Sequence, residues 1–137
     1  MLKEAGLSEI VKRGIPKDRC VFVARKRGND ELAPSDELFQ DFDKRKKAFE
    51  FEYGKGSIEA HNRAFLDCHY ESRFRNQILS NLKAMKKLEN ISKRAQNEDV
   101  FLICYEGPKK ACHRRILIRV AQERFGTKVS IEGVAPN

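Results

Sequence analysis

Cys104, Glu106, Cys112, His113 and Arg114 fall within eleven residues, in the stretch Cys104-Tyr-Glu106-Gly-Pro-Lys-Lys110-Ala-Cys112-His113-Arg114. Two thiols, a carboxylate, an imidazole and a guanidinium at this density suit nucleophilic or redox chemistry at sulfur. The apolar run Val100–Ile103 before them reads as a buried strand. Ile116, Leu117, Val120, Ala121 and Phe125 after them have the spacing of an amphipathic helix. The reactive residues therefore sit on the loop of a strand–loop–helix unit, at the carboxyl end of a strand, where open α/β sheets place their ligands.

Each residue has an expected task. Cys112 lies at the first turn of the helix, where unpaired backbone N–H groups favour a thiolate, helped by Lys109, Lys110, His113 and Arg114. Cys104 would be a resolving or supporting thiol. Arg114 has the fork geometry to clamp a phosphate or carboxylate, with Lys110 close by. Glu106 and His113 would orient groups or carry protons. Arg25 closes an earlier strand and so projects on the same sheet edge, while Tyr105, Tyr70 and His61 are candidate pocket walls. The plainer alternatives are a Cys104 that packs as a small hydrophobe and an Arg114–Glu106 pair that only braces the loop.

Two known chemistries can be compared by spacing. A cysteine phosphatase places an arginine six residues after its cysteine, and here that position is Lys110. Zinc could draw on Cys104, Cys112 and His113, with Cys68-His69 as a second pair, but the spacings match no common zinc ribbon or finger. No metal ligand is assigned and no cofactor is expected, zinc remaining an alternative.

The elements that must position this loop follow from patterning. Leu2, Leu7, Ile10 and Val11 share a helical face that stops at Gly14 and Pro16. Cys20–Ala24 reads as a strand buried on both faces. Ser35 caps a helix burying Leu38, Phe39, Phe42 and Phe49, and Ser57 caps another with Ile58, Phe65 and Cys68. The stripe Phe74, Ile78, Leu82, Met85, Leu88 and Ile91 predicts one long helix over 74–95. Residues 128–132 alternate as an edge strand would. This order predicts one α/β domain over 1–137, a small three-layer sandwich with a mostly parallel sheet of three to four strands and flanking helices.

Bulk properties narrow the class. The 137 residues carry a net charge of +8, with 35% charged and 40% hydrophobic residues, a globular composition. No apolar run approaches a membrane span, and the N-terminal segment lacks signal-peptide character. Four cysteines without that character point to a reducing cytoplasm. The positive balance suggests anionic partners, either a small molecule or nucleic acid, although the basic residues are dispersed over several segments.

Leu102-Ile-Cys104-Tyr-Glu106, followed by Cys112-His113-Arg114 and an apolar helix, resembles the domain-of-unknown-function family 488, which includes the YeaO-like proteins. Val21-Phe-Val-Ala-Arg25 is similar to that family's first strand ending in arginine, and Leu32-Ala-Pro34-Ser35-Asp-Glu-Leu38 to its helix start. The chain departs from the pattern at Ala24, where many relatives carry an acid, and has no tryptophan. The resemblance implies the α/β fold and the pocket but no reaction. The combined expectation is a thiol-dependent enzyme binding a phosphorylated or nucleotide-like anion at the 104–114 loop. The alternatives are a nucleic-acid-binding module and a zinc-stabilised interaction domain.

Overall fold

Three strands, β1 (Leu2–Gly6), β2 (Cys20–Phe22) and β3 (Val100–Cys104), form one parallel sheet in the order β1-β3-β2 in the computed structural model, which describes residues 1–133. Leu2 through Gly6 pair with Val100 through Cys104, and Cys20 through Phe22 with Phe101 through Ile103. β3 takes the centre because its sequence, VFLIC, has no polar side chain to present to water, and all five of its residues are buried. Short α1 (Glu9–Lys12) lies between β1 and β2. Four helices, α2 (Asp36–Tyr53), α3 (Ile58–Asp67), α4 (Tyr70–Leu79) and α5 (Leu82–Arg94), carry the chain from β2 to β3, and α6 (His113–Phe125) follows.

The two faces of the sheet are unequal. Val100, Leu102 and Cys104 point into the larger core with residues of α2 to α6, including Phe74, Leu88, Leu117 and Val120. Phe101 and Ile103 point the other way, against Ile15, Leu7 and Ile10. The result is the expected α/β sandwich with one thick helical layer and one thin one. Local chemistry starts the helices: Ser35 Oγ accepts from Leu38 N, Ser57 Oγ from Ala60 N, and Asn81 Oδ1 from Ala84 N.

Four expectations are corrected. Residues 2–11 are not one helix: Leu2–Gly6 is a strand, and Val11, expected on the buried face, is 90% exposed. Met-Leu-Lys-Glu-Ala has helical propensity, but an edge of the all-apolar β3 offers five paired residues and wins. The helix expected over 74–95 is two helices, broken where Ser80 Oγ bonds back to the Asn76 carbonyl and Asn81 restarts the chain as a cap; Leu82 consequently faces water. Residues 128–132 contribute only a single parallel bridge, Leu2 to Val129, so the sheet keeps three strands. β2, at the other edge, is half-buried rather than buried on both faces.

At its end β1 passes close under the reactive loop. A Cβ on Gly6 would stand 2.8 Å from the Glu106 carbonyl oxygen, a contact that backbone cannot relieve by a rotamer change. Gly6→Ala is expected to cost about 1–3 kcal/mol, read as a lower urea midpoint. An unchanged midpoint would show that the loop yields freely.

Candidate active site

Cys112 is the N-cap of α6, with extended backbone (φ −150, ψ 144), so its sulfur stands at the positive end of a 13-residue helix. The sulfurs of Cys104 and Cys112 and a ring nitrogen of His113 all lie within 4.8 Å of one another. Cys112 Sγ is 3.7 Å from His113 Nδ1. His113 Nε2 lies 2.8 Å from the Val23 carbonyl, which can only accept, so Nε2 carries the proton and Nδ1 is turned to the thiol. Nδ1 is thereby placed to take the Cys112 proton.

The two thiols divide their roles. Burial opposes ionisation of Cys112 more than any other single influence, yet the hydrogen bond from Cys104 and the neighbouring His113 and Arg114 together hold its thiol well below the ordinary value. Cys104 is pushed strongly up, by that same hydrogen bond to Cys112 and then by burial. Cys104 therefore keeps its proton and donates it, and Cys112 carries the negative charge.

These sulfurs open onto a cavity of about 290 Å³ at the carboxyl end of the sheet. Its walls include Phe39, Phe42, Phe65, Tyr70 and His61 from α2 to α4, and Arg25, Lys26, Tyr105 and Glu106 from the strand ends. Arg25 is ion-paired to Asp36, and its guanidinium lies 4.0 Å from the Phe39 ring centroid. Loop 105–112 is fastened to α3: Asn62 Oδ1 accepts from Ala111 N at 2.8 Å, Asn62 Nδ2 donates to the Lys109 carbonyl, and His61 Nε2 donates to the Ala111 carbonyl at 2.7 Å.

The structure thus gathers Cys104, Cys112, His113, Glu106 and Arg25 around one cavity. Arg114 goes elsewhere. Only 1% exposed, it donates to Glu4 Oε1 at 2.8 Å and to the Glu106 carbonyl at 2.8 Å, so the anion clamp expected of it is replaced by a buried structural bridge. Glu106 does engage Arg114, but through its backbone oxygen rather than its carboxylate. Lys110 gives its carbonyl to Arg115 Nη1 and does not line the cavity. Cys68 bonds the Phe65 carbonyl and His69 is exposed, so this pair stays outside the cluster.

Two supporting residues escaped the sequence reading. Glu4 is 2% exposed and receives both Arg114 and Arg115, the latter at 2.9 and 3.1 Å. The backbone N–H groups of Glu132 and Gly133 also donate to Glu4 Oε2. Gly133 crosses so close to the Arg115 guanidinium that a Cβ there would sit 2.0 Å from it. The adjacent Arg114 and Arg115, directly ahead of the apolar Ile116-Leu117-Ile118, were the available signal, because buried guanidinium groups demand an acid.

A small parallel α/β domain with a thiol pair between its central strand and the next helix is the class defined by this geometry. The family model described as the Active DUF488-N3 subclade matches residues 4–125, and the chain belongs to the DUF488 family. No curated protein and no solved structure matches the chain. No helix among the described residues is long and apolar enough to cross a membrane.

Proposed function

We propose that the protein is a thiol-dependent enzyme acting on a phosphorylated or nucleotide-like anion held in the cavity beside Cys112. Cys112 is the nucleophile, His113 Nδ1 receives its proton, and the Cys104 S–H stabilises the thiolate. Glu106, on the cavity wall and with no hydrogen bond to its carboxylate among the described residues, is the group available to carry protons to and from the ligand. Arg25 and Lys26 at the rim supply positive charge. The observation that carries this reading is a thiol depressed by its neighbours at a helix N-terminus and facing a cavity, where structural cysteines are ordinarily inert.

Alkylation by iodoacetamide with adduct mapping tests it. Cys112 should react faster than a free thiol at neutral pH, and inorganic phosphate or ribose 5-phosphate should slow the reaction. A Cys112 that reacts no faster than a free thiol removes the nucleophile from this reading.

A second reading has its own observation. Cys104, Cys112 and His113 could hold a metal ion. The 3.7 Å between Cys112 Sγ and His113 Nδ1 is near the spacing of two ligands on a tetrahedral zinc, roughly 3.5 Å from ordinary bond lengths. The Val23 carbonyl would fix the imidazole as an outer partner. Metal analysis of protein purified without chelator decides: stoichiometric zinc, with Cys112 alkylated only after chelation, favours a zinc site. Nucleic-acid binding by the basic surface draws less support, because Arg45, Arg73, Arg75, Lys87, Arg94 and Arg119 are ion-paired to acids. Retarded mobility in a low-salt gel would restore it.

A further inference from the structure

Tyr70 and His61 line the cavity while being only 5% and 4% exposed. Neither the Tyr70 phenol oxygen nor His61 Nδ1 has a hydrogen-bond partner among the described residues. Buried polar groups are ordinarily paired. Among those residues only Ser92 Oγ is sealed from solvent without a partner, so the phenol and Nδ1 meet the cavity rather than packed interior.

Their hydrogen-bonding senses are determined. His61 Nε2 spends its proton on the Ala111 carbonyl, and burial holds the ring's pKa below its usual value, so Nδ1 is a bare acceptor. Burial pushes the Tyr70 phenol well up, so it remains an O–H donor. Both rings pack edge-on against Phe42, with centroid distances of 5.0 Å for His61 and 5.6 Å for Tyr70, which makes them one cluster. A ligand that satisfies them must offer a hydrogen-bond donor and an acceptor on a flat, largely apolar body. Sugars lack the flat body, and acyl chains lack the donor. The cavity lies at the small end of ligand pockets, roughly 300–1,000 Å³, suited to one base and its sugar.

Resting on the reading of this cavity as a ligand site, we propose that it recognises the ring edge of a nucleobase. Tyr70 Oη donates to the base, His61 Nδ1 accepts from its N–H, and Phe39, Phe42 and Phe65 enclose its face. A 5′-phosphate would then lie toward Arg25 and Lys26.

Isothermal titration with the four ribonucleosides, their 5′-monophosphates and ribose 5-phosphate tests the assignment. At least one nucleoside should bind, its monophosphate more tightly, and ribose 5-phosphate at least about tenfold more weakly than that monophosphate. Tyr70→Phe should weaken the nucleoside about tenfold and leave ribose 5-phosphate unaffected; if that variant fails to fold, His61→Phe serves instead. Equal binding of ribose 5-phosphate and every nucleotide overturns the base assignment while leaving the anion site standing. A nucleoside that binds as tightly as its own monophosphate supports the base assignment and removes the phosphate from the proposed function. Wild-type nucleoside affinity in Tyr70→Phe overturns the inference outright.

Discussion

Glu4→Gln is expected to lower the unfolding temperature by about 10 °C or more. Glu4 is the acid that both buried guanidinium groups share, and its removal takes that common carboxylate away from Arg114 and Arg115. Breaking a buried pair by deleting one partner costs about 3–5 kcal/mol, and a domain of this size loses roughly 3–5 °C per kcal/mol. Glutamine keeps the volume and one acceptor, so the loss reports charge rather than a cavity. The damage should extend to the site, because Arg114 also holds the Glu106 carbonyl and Arg115 holds that of Lys110, at the two ends of the reactive loop. Thermal unfolding followed by circular dichroism reads the first effect, and amide exchange over residues 105–111 the second. A fall of less than about 3 °C would show that the arginines are compensated from elsewhere.

The second large effect concerns Cys104. Alkylation of Cys112 follows its thiolate fraction, so a depressed thiol reacts down to lower pH than an ordinary one and loses reactivity only as pH falls through its own value. Cys104→Ala removes the S–H that donates to that thiolate. A hydrogen bond to a charged group contributes about 1.5–3 kcal/mol, so the alkylation profile should move up by about one pH unit or more. At any pH below the wild-type midpoint that is roughly a tenfold slower reaction. Cys104→Ser, which restores a donor, should recover most of the shift. An unmoved profile in Cys104→Ala would assign the depressed thiol to His113 and the helix N-terminus alone.

Loop 105–112 and its two flanking elements were legible from residue type and order. A wholly apolar pentapeptide has one stable place, the middle of a sheet, and a helix starting at His113 necessarily leaves Cys112 at its positive end. The helix caps at Ser35, Ser57 and Asn81 obey equally local chemistry, although the Asn81 cap is hidden inside a stripe whose spacing stays helical across the break. Arg25 was found by the same logic, since parallel strands end on one edge.

Composition and short-range spacing thus determined where a reactive sulfur would stand and which backbone groups would face it. Three-dimensional packing settled which charged groups reach the ligand space and which are consumed in holding the frame. Nothing local distinguishes Arg114 from Arg25, yet Glu4, 110 residues away in the chain, takes Arg114 and leaves the rim to Arg25. Of the walls from α2 to α4, Phe39, Phe42 and Phe65 were likewise readable only as core. A side chain's hydrogen-bonding partner is chosen by proximity after folding, whereas sequence periodicity records only which face of an element avoids water.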